Sequence, residues 1–288
     1  MSIIETKPPW TKGALRRLGQ ELVTSTKMTV ELRARYDEVM LWHNDLAAEV
    51  AAILFTTSWQ SCPAELFDIT ARPKTIDTLV QKLQREHRMT LDEVQDLAGV
   101  RIDADITLDV QTAITHEIAA HFGDRSRVRD LRDKPHSGYR AVHVWLRLPA
   151  GNVEVQIRTI GQSEWANTYE RLGDRFGRGI RYNEMPDDEL ARKAVEVMHL
   201  ASEGLADSEK RQVRLAQYRE QVDRTEPIPT TVLIRRMLRM PRLTLRIVAA
   251  RKQRKRDADL LSAEHDAAMK GLVGMLRDLR STLDQEGN

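Results

Sequence analysis

Cysteine is all but absent from this chain: Cys62 is the single one among 288 residues. One thiol excludes an internal disulfide framework and a thiol-rich metal site, and Cys62 reads as a half-buried small residue rather than a nucleophile. Aromatic side chains are scarce, at 5% of the residues. No apolar run reaches the length that crosses a bilayer, so no membrane span is expected. The start, Met1-Ser2-Ile3-Ile4-Glu5, has no basic n-region and no apolar h-region, and a cytoplasmic protein is expected. An excess of one charge is missing too, with 45 Lys and Arg against 43 Asp and Glu. The length suits one core of ordinary size plus a helical extension.

Two alternating runs carry the strongest local pattern: Gly138-Tyr139-Arg140-Ala141-Val142-His143-Val144 and, after a Pro149-Ala150-Gly151-Asn152 turn, Val153-Glu154-Val155-Gln156-Ile157-Arg158-Thr159. They read as a β-hairpin. Side chains alternate across a strand, so Val153, Val155 and Ile157 share one face and Glu154, Gln156 and Arg158 the other. In the first run Val142, Val144, Leu146 and Leu148 form the apolar set. That leaves Tyr139, His143 and Arg147 opposite, with Ala141 and Trp145. The hairpin alone is compatible either with a solvated polar face or with a face that does chemistry.

Upstream, Ile76, Leu79, Val80 and Leu83 have the spacing of a buried helical stripe, and the helix opens on Arg72, Lys74 and Thr75. Its exposed N–H groups and positive dipole end favour an anion there. Next comes Asp96-Leu97-Ala98-Gly99-Val100-Arg101-Ile102, a strand-like run led by a carboxylate. Such an oxygen ligand suits Mg²⁺, which takes one or two carboxylates plus substrate phosphates.

In order, these segments resemble the synthetase domain of the RelA/SpoT family, ATP-dependent pyrophosphokinases that make the alarmones ppGpp and pppGpp. The family pattern is Arg-x-Lys-Ser before a helix with a further Lys, then Asp-x-x-Gly-x-Arg, Gly-Tyr-x-x-x-His and Glu-x-Gln-x-Arg-Thr. It covers Phe67 to Tyr182. The resemblance implies an α/β (α+β) fold with a central mixed sheet of about five strands flanked by helices and with helical N- and C-terminal extensions. It implies that Arg72, Lys74, Thr75, Lys82 and Arg101 hold the ATP triphosphate. Asp96 would carry Mg²⁺, and Glu154 would share that metal or take the proton of an attacking 3′-hydroxyl. Tyr139 would stack on the acceptor base. His143, Gln156, Arg158 and Lys134 would position the acceptor or its phosphates. The reaction is transfer of the β,γ-pyrophosphate of ATP to a ribose 3′-oxygen. The chain departs from the pattern at Lys134-Pro135, where the family has Pro-Lys, at Ser137 in place of Asn, and at Tyr169-Glu170-Arg171, which leaves the family's third acidic position open.

Residues 1–66 read as a helical region, 67–185 as the synthetase core, 186–226 as a helical extension and 227–288 as a basic helical region, with Thr225 to Thr230 as a candidate linker. From Pro227 to Arg256 there are ten Lys or Arg and no Asp or Glu. This run admits a polynucleotide, a membrane surface, an acidic partner protein or a solvated face. Lys12, Arg16, Arg17, Arg235, Arg236 and Arg239 are the candidate RNA contacts. The chain also resembles the short, toxic members of the family, some of which modify the 3′-CCA end of tRNA. The acceptor expected on that basis is the tRNA 3′ end, with GDP/GTP or an adenine nucleotide as the alternatives. Without a hydrolase domain, a neutralising antitoxin protein is an expected partner. A catalytically inactive nucleotide- or RNA-binding regulator is the non-enzymatic alternative.

Overall fold

The computed structural model describes residues 2–224 and 229–285. Most of the candidate linker, and the expected boundary at 226/227, fall outside the described residues. The chain forms two compact units, Met1–Ser163 and Glu164–Asn288.

The first unit is built on one five-stranded sheet in the order β1-β2-β5-β4-β3. The strands are β1 (Phe67–Pro73), β2 (Ala98–Ala104), β3 (Ser126–Asp130), β4 (Val142–Leu148) and β5 (Gly151–Thr159). β2 and β5 run parallel and the other neighbours antiparallel, so the sheet is mixed as expected. The expected hairpin is β4–β5. Its apolar parity is the packed one: Val144, Leu146, Val153, Val155 and Ile157 are fully buried in one cluster with Val100 and Ile102 of β2. Leu46, Val50 and Leu54 of helix α2 (Val30–Thr56) and Ile114 and Ile118 of helix α4 (Leu108–Phe122) complete that cluster. Each such side chain contributes about 1.5–3 kcal/mol relative to exposure, so this face fixes the register.

A second cluster joins Leu18 and Leu22 of helix α1 (Lys12–Thr24), Tyr36, Val39 and Met40 of α2, and Leu79 and Leu83 of helix α3 (Ile76–Arg85). Hydroxyl caps set both early helices. Thr11 Oγ1 accepts the Ala14 N–H at 3.2 Å and Thr29 Oγ1 the Leu32 N–H at 3.1 Å.

A tight turn delivers Tyr139 to the start of β4. Ser137 (φ 50°) and Gly138 (φ 81°) are both left-handed, and the Tyr139 N–H closes on the His136 carbonyl at 2.9 Å. Two successive positive φ values define a type I′ geometry, which glycine adopts freely and serine does not.

The second unit is helical. It holds most of α5 (Ile160–Phe176), with α6 (Glu189–Arg224), α7 (Thr230–Arg239) and α8 (Pro241–Gln285). α7 ends at Arg239 and α8 begins at Pro241, where the missing N–H and fixed φ of proline suit a first helical position. Tyr169 is buried and its hydroxyl donates to the Ile180 carbonyl at 3.0 Å, while Arg171 pairs with Asp284 at 2.9 Å. Among the final leucines and methionine, Leu276 is buried and Met275 is 65% exposed.

Candidate active site

The second face of the sheet is polar, and the ladder register arranges it as a lattice. One row runs Arg72, Gly99, Glu154, Trp145, Arg127; the next runs Thr70, Arg101, Gln156, His143, Arg129. Opposed residues in a ladder point to the same side. Four segments distant in sequence therefore converge here because each strand alternates apolar and polar residues in phase with its neighbour.

Glu154 is the centre of this face and is nearly buried, at 8% exposure. Its Oε1 accepts from His143 Nδ1 at 3.1 Å and from Trp145 Nε1 at 2.9 Å. Its Oε2 accepts from Gln156 Nε2 at 2.8 Å. Burial alone pushes this carboxyl up, but the hydrogen bond and charge of His143, with the Gln156 and Trp145 donors, outweigh it and hold the group at about 2. The other ring nitrogen of His143, Nε2, lies 3.2 Å from the Tyr139 hydroxyl, within hydrogen-bond distance. The Tyr139 ring meets the imidazole edge-on, 5.8 Å between centroids.

Asp96, two residues before β2, is flanked by two ammonium groups. Lys74 Nζ bonds one carboxylate oxygen and Lys82 Nζ the other, at 2.9 Å. Burial raises the Asp96 carboxyl and nearby Glu154 opposes its charge, yet the two lysines keep it below the ordinary carboxylate range. Lys82 reaches Asp96 from the last turn of α3, and Lys74 from just before that helix. Thr75 is the N-cap residue of α3, but its hydroxyl pairs with Thr78 Oγ1 at 3.0 Å and caps nothing.

Among the described residues no group of three or more His, Cys, Asp or Glu forms a metal cage. Two electrostatically coupled carboxylates beside two lysines fit Mg²⁺, which keeps waters and substrate oxygens for its other positions.

The remaining expected residues divide. Arg72 is exposed and Arg101 half-buried on the same face, and Lys134 is exposed on the loop between β3 and β4. Arg158 is fully buried and bidentate to Asp103, at 2.9 and 3.2 Å, so its guanidinium is engaged in a pair inside the sheet face. Arg16 is bound to Asp92 at 3.0 Å, whereas Lys12 and Arg17 are exposed on α1. Arg235, Arg236 and Arg239 are exposed on α7 beside exposed Ile234 and Leu238. Sequence reasoning assigned no role to Trp145, Asp103 or Arg129; Arg129 lies over the Trp145 ring at 5.4 Å. The parity of β4 was the available signal for Trp145.

The family described as a region found in RelA / SpoT proteins matches residues 71–171. Uncharacterised proteins of Mycobacterium bovis and Mycobacterium tuberculosis are 52% identical over 211 residues, covering 70% of this chain and 76% of theirs. The small alarmone synthetase 1 of Bacillus subtilis bound to its product pppGpp is a similar solved structure, at 19% identity and TM-score 0.49, covering 62% of this chain and 96% of that one. Its complex with AMPCPP gives 18% and 0.45, over 64% and 98%. The matched residues run from the strand that carries Arg72 to the helix after Arg158, taking in Asp96, Tyr139 and Glu154, and the chain belongs to the RelA/SpoT synthetase family.

Proposed function

We propose that this protein transfers the β,γ-pyrophosphate of ATP to the 3′-hydroxyl of a ribose, and that the acceptor is the 3′ end of tRNA. The observation that carries the reaction is the pairing of a donor-caged Glu154 with the Lys74–Asp96–Lys82 cluster on one sheet face. When bound, Mg²⁺ held by Asp96, and by Glu154 where its Oε2 is not taken by the acceptor hydroxyl, would neutralise charge on the triphosphate.

Lys74 and Lys82 exchange their bonds to Asp96 for bonds to phosphate oxygens, joined by Arg72, Arg101 and the Thr75 hydroxyl. Tyr139 stacks on the acceptor base, and His143, Gln156 and Lys134 set the acceptor in line, while Arg158, expected to join them, is buried against Asp103 and braces that face instead. The 3′-oxygen then bonds to the β-phosphorus as the bond from that phosphorus to the α,β-bridging oxygen breaks, AMP leaves with the bridging oxygen, and the hydroxyl proton passes to solvent. A carboxylate held at about 2 is a weak base. Glu154 therefore orients the hydroxyl and receives its hydrogen bond, and positioning and charge neutralisation lower the barrier.

Lys12, Arg16 and Arg17 in the first unit and Arg235, Arg236 and Arg239 in the second are the proposed phosphate contacts of the RNA. Modified tRNA ends would block translation, which makes the protein a toxin that a protein partner restrains. The second reading is GDP or GTP as acceptor. It is favoured by the engagement of Arg16 with Asp92 and by the exposed aliphatic residues between the α7 arginines, which a phosphate backbone does not require.

The test is incubation with γ-labelled ATP, Mg²⁺ and either bulk tRNA or GDP plus GTP. Label is expected in tRNA, and Ala at Arg235, Arg236 and Arg239 together flattens its salt dependence by about one counterion per lost contact. Label confined to the free guanine nucleotides establishes the second reading instead.

A further inference from the structure

The register that places Glu154 on the catalytic face also places an indole beside it. Trp145 is the residue directly opposite Glu154 in the β4–β5 ladder, and its Nε1–H reaches Oε1 at 2.9 Å. His143 donates to the same oxygen, while among the described residues Gln156 alone donates to Oε2. A carboxylate oxygen offers two lone pairs, so Oε1 is saturated and Oε2 keeps one.

Indole suits this task better than a hydroxyl or an amide. It is a donor only, it does not titrate near neutral pH, and its N–H lies fixed in the ring plane. The ring is fixed in turn. Arg129 on edge strand β3 lies 5.4 Å over it, and Arg127 is its ladder partner on the same side. The half-buried ring and the buried carboxylate thus hold each other in one geometry.

We propose that Trp145 is a positioning residue for the transfer reaction: its indole N–H occupies Glu154 Oε1, so that Oε2 alone meets the attacking hydroxyl or the metal. The proposal rests on the part assigned to Glu154 above. It differs from a packing role because an apolar ring of similar size would fill the same space and leave Oε1 free to compete with Oε2.

Trp145→Phe keeps an aromatic ring under Arg129 and removes the N–H. The expected result is a fall in kcat of about tenfold or more, the loss typical of one removed donor at a reacting centre, with KM for ATP and for the acceptor held within about twofold. The bond itself is read without activity, by ¹⁵N labelling of the tryptophan indoles. The resonance that Trp145→Phe deletes should shift in Glu154→Gln and stay in place in Asp103→Asn. An unchanged kcat, or a loss confined to KM, overturns the positioning role. A Trp145 resonance indifferent to Glu154→Gln overturns the bond. A wild-type chain that transfers pyrophosphate to no acceptor overturns the reaction reading instead, and the indole resonance separates that failure from a failure of the proposal.

Discussion

Acid should remove a defined part of this protein's stability through Glu154. Its carboxyl sits at about 2 in the folded chain against an ordinary 4.5. The difference corresponds to about 3 kcal/mol of preference for the charged form in the folded state. Because the folded value is depressed, that stabilisation is complete above the unfolded value and is lost as pH falls from 4.5 through 2; by pH 3 about 2 kcal/mol of it has gone. Glu154→Gln has no charge to lose. It also turns an amide N–H toward Gln156, which itself donates at this position, so the variant starts lower by about 1–3 kcal/mol. Urea unfolding of both chains, followed by tryptophan fluorescence between pH 6 and 3, measures the difference. The wild type should lose stability over this window by about 2 kcal/mol more than Glu154→Gln. Parallel losses in the two chains would refute the assignment of the depressed pKa to the His143, Gln156 and Trp145 cage.

Asp96→Asn should abolish transfer while freeing Lys74 and Lys82, so that metal-free pyrophosphate binds several-fold more tightly than to wild type; calorimetry without divalent cations reads this, and weaker binding would contradict the apposition of those lysines. Tyr139→Ala should weaken acceptor use by about 1–3 kcal/mol through loss of stacking, with ATP affinity retained. Tyr139→Phe separates the ring from the hydroxyl that reaches His143: a defect in Phe as deep as that in Ala would assign the role to the hydroxyl. Ser137→Asn should be neutral or stabilising by a few tenths of a kcal/mol in thermal unfolding, since asparagine tolerates the left-handed φ of 50° better than serine.

Much of the catalytic face was legible because strand parity is a local property. Once Val153, Val155 and Ile157 are assigned to the core, Glu154 and Gln156 must lie opposite, and the structure places them there. The stripe of α3 was legible for the same reason, since it depends on a few neighbouring residues. The engagement of Arg158 with Asp103 was not, because it depends on the parallel β2–β5 register across 55 residues of chain. Nor was Trp145: tryptophan in an alternating run reads as packing, and only its ladder partner gives its N–H a purpose.

The central claim is that the Glu154 face moves a pyrophosphate as a unit. The direct measurement is product analysis after reaction with ATP labelled at both the β and γ phosphorus, using wild type and Glu154→Gln with tRNA and with GDP plus GTP. Wild type should release unlabelled AMP in equal amount to an acceptor carrying both labels on its 3′-oxygen, and Glu154→Gln should release neither. An acceptor carrying the γ label alone with ADP as co-product, or full transfer by Glu154→Gln, would contradict the account.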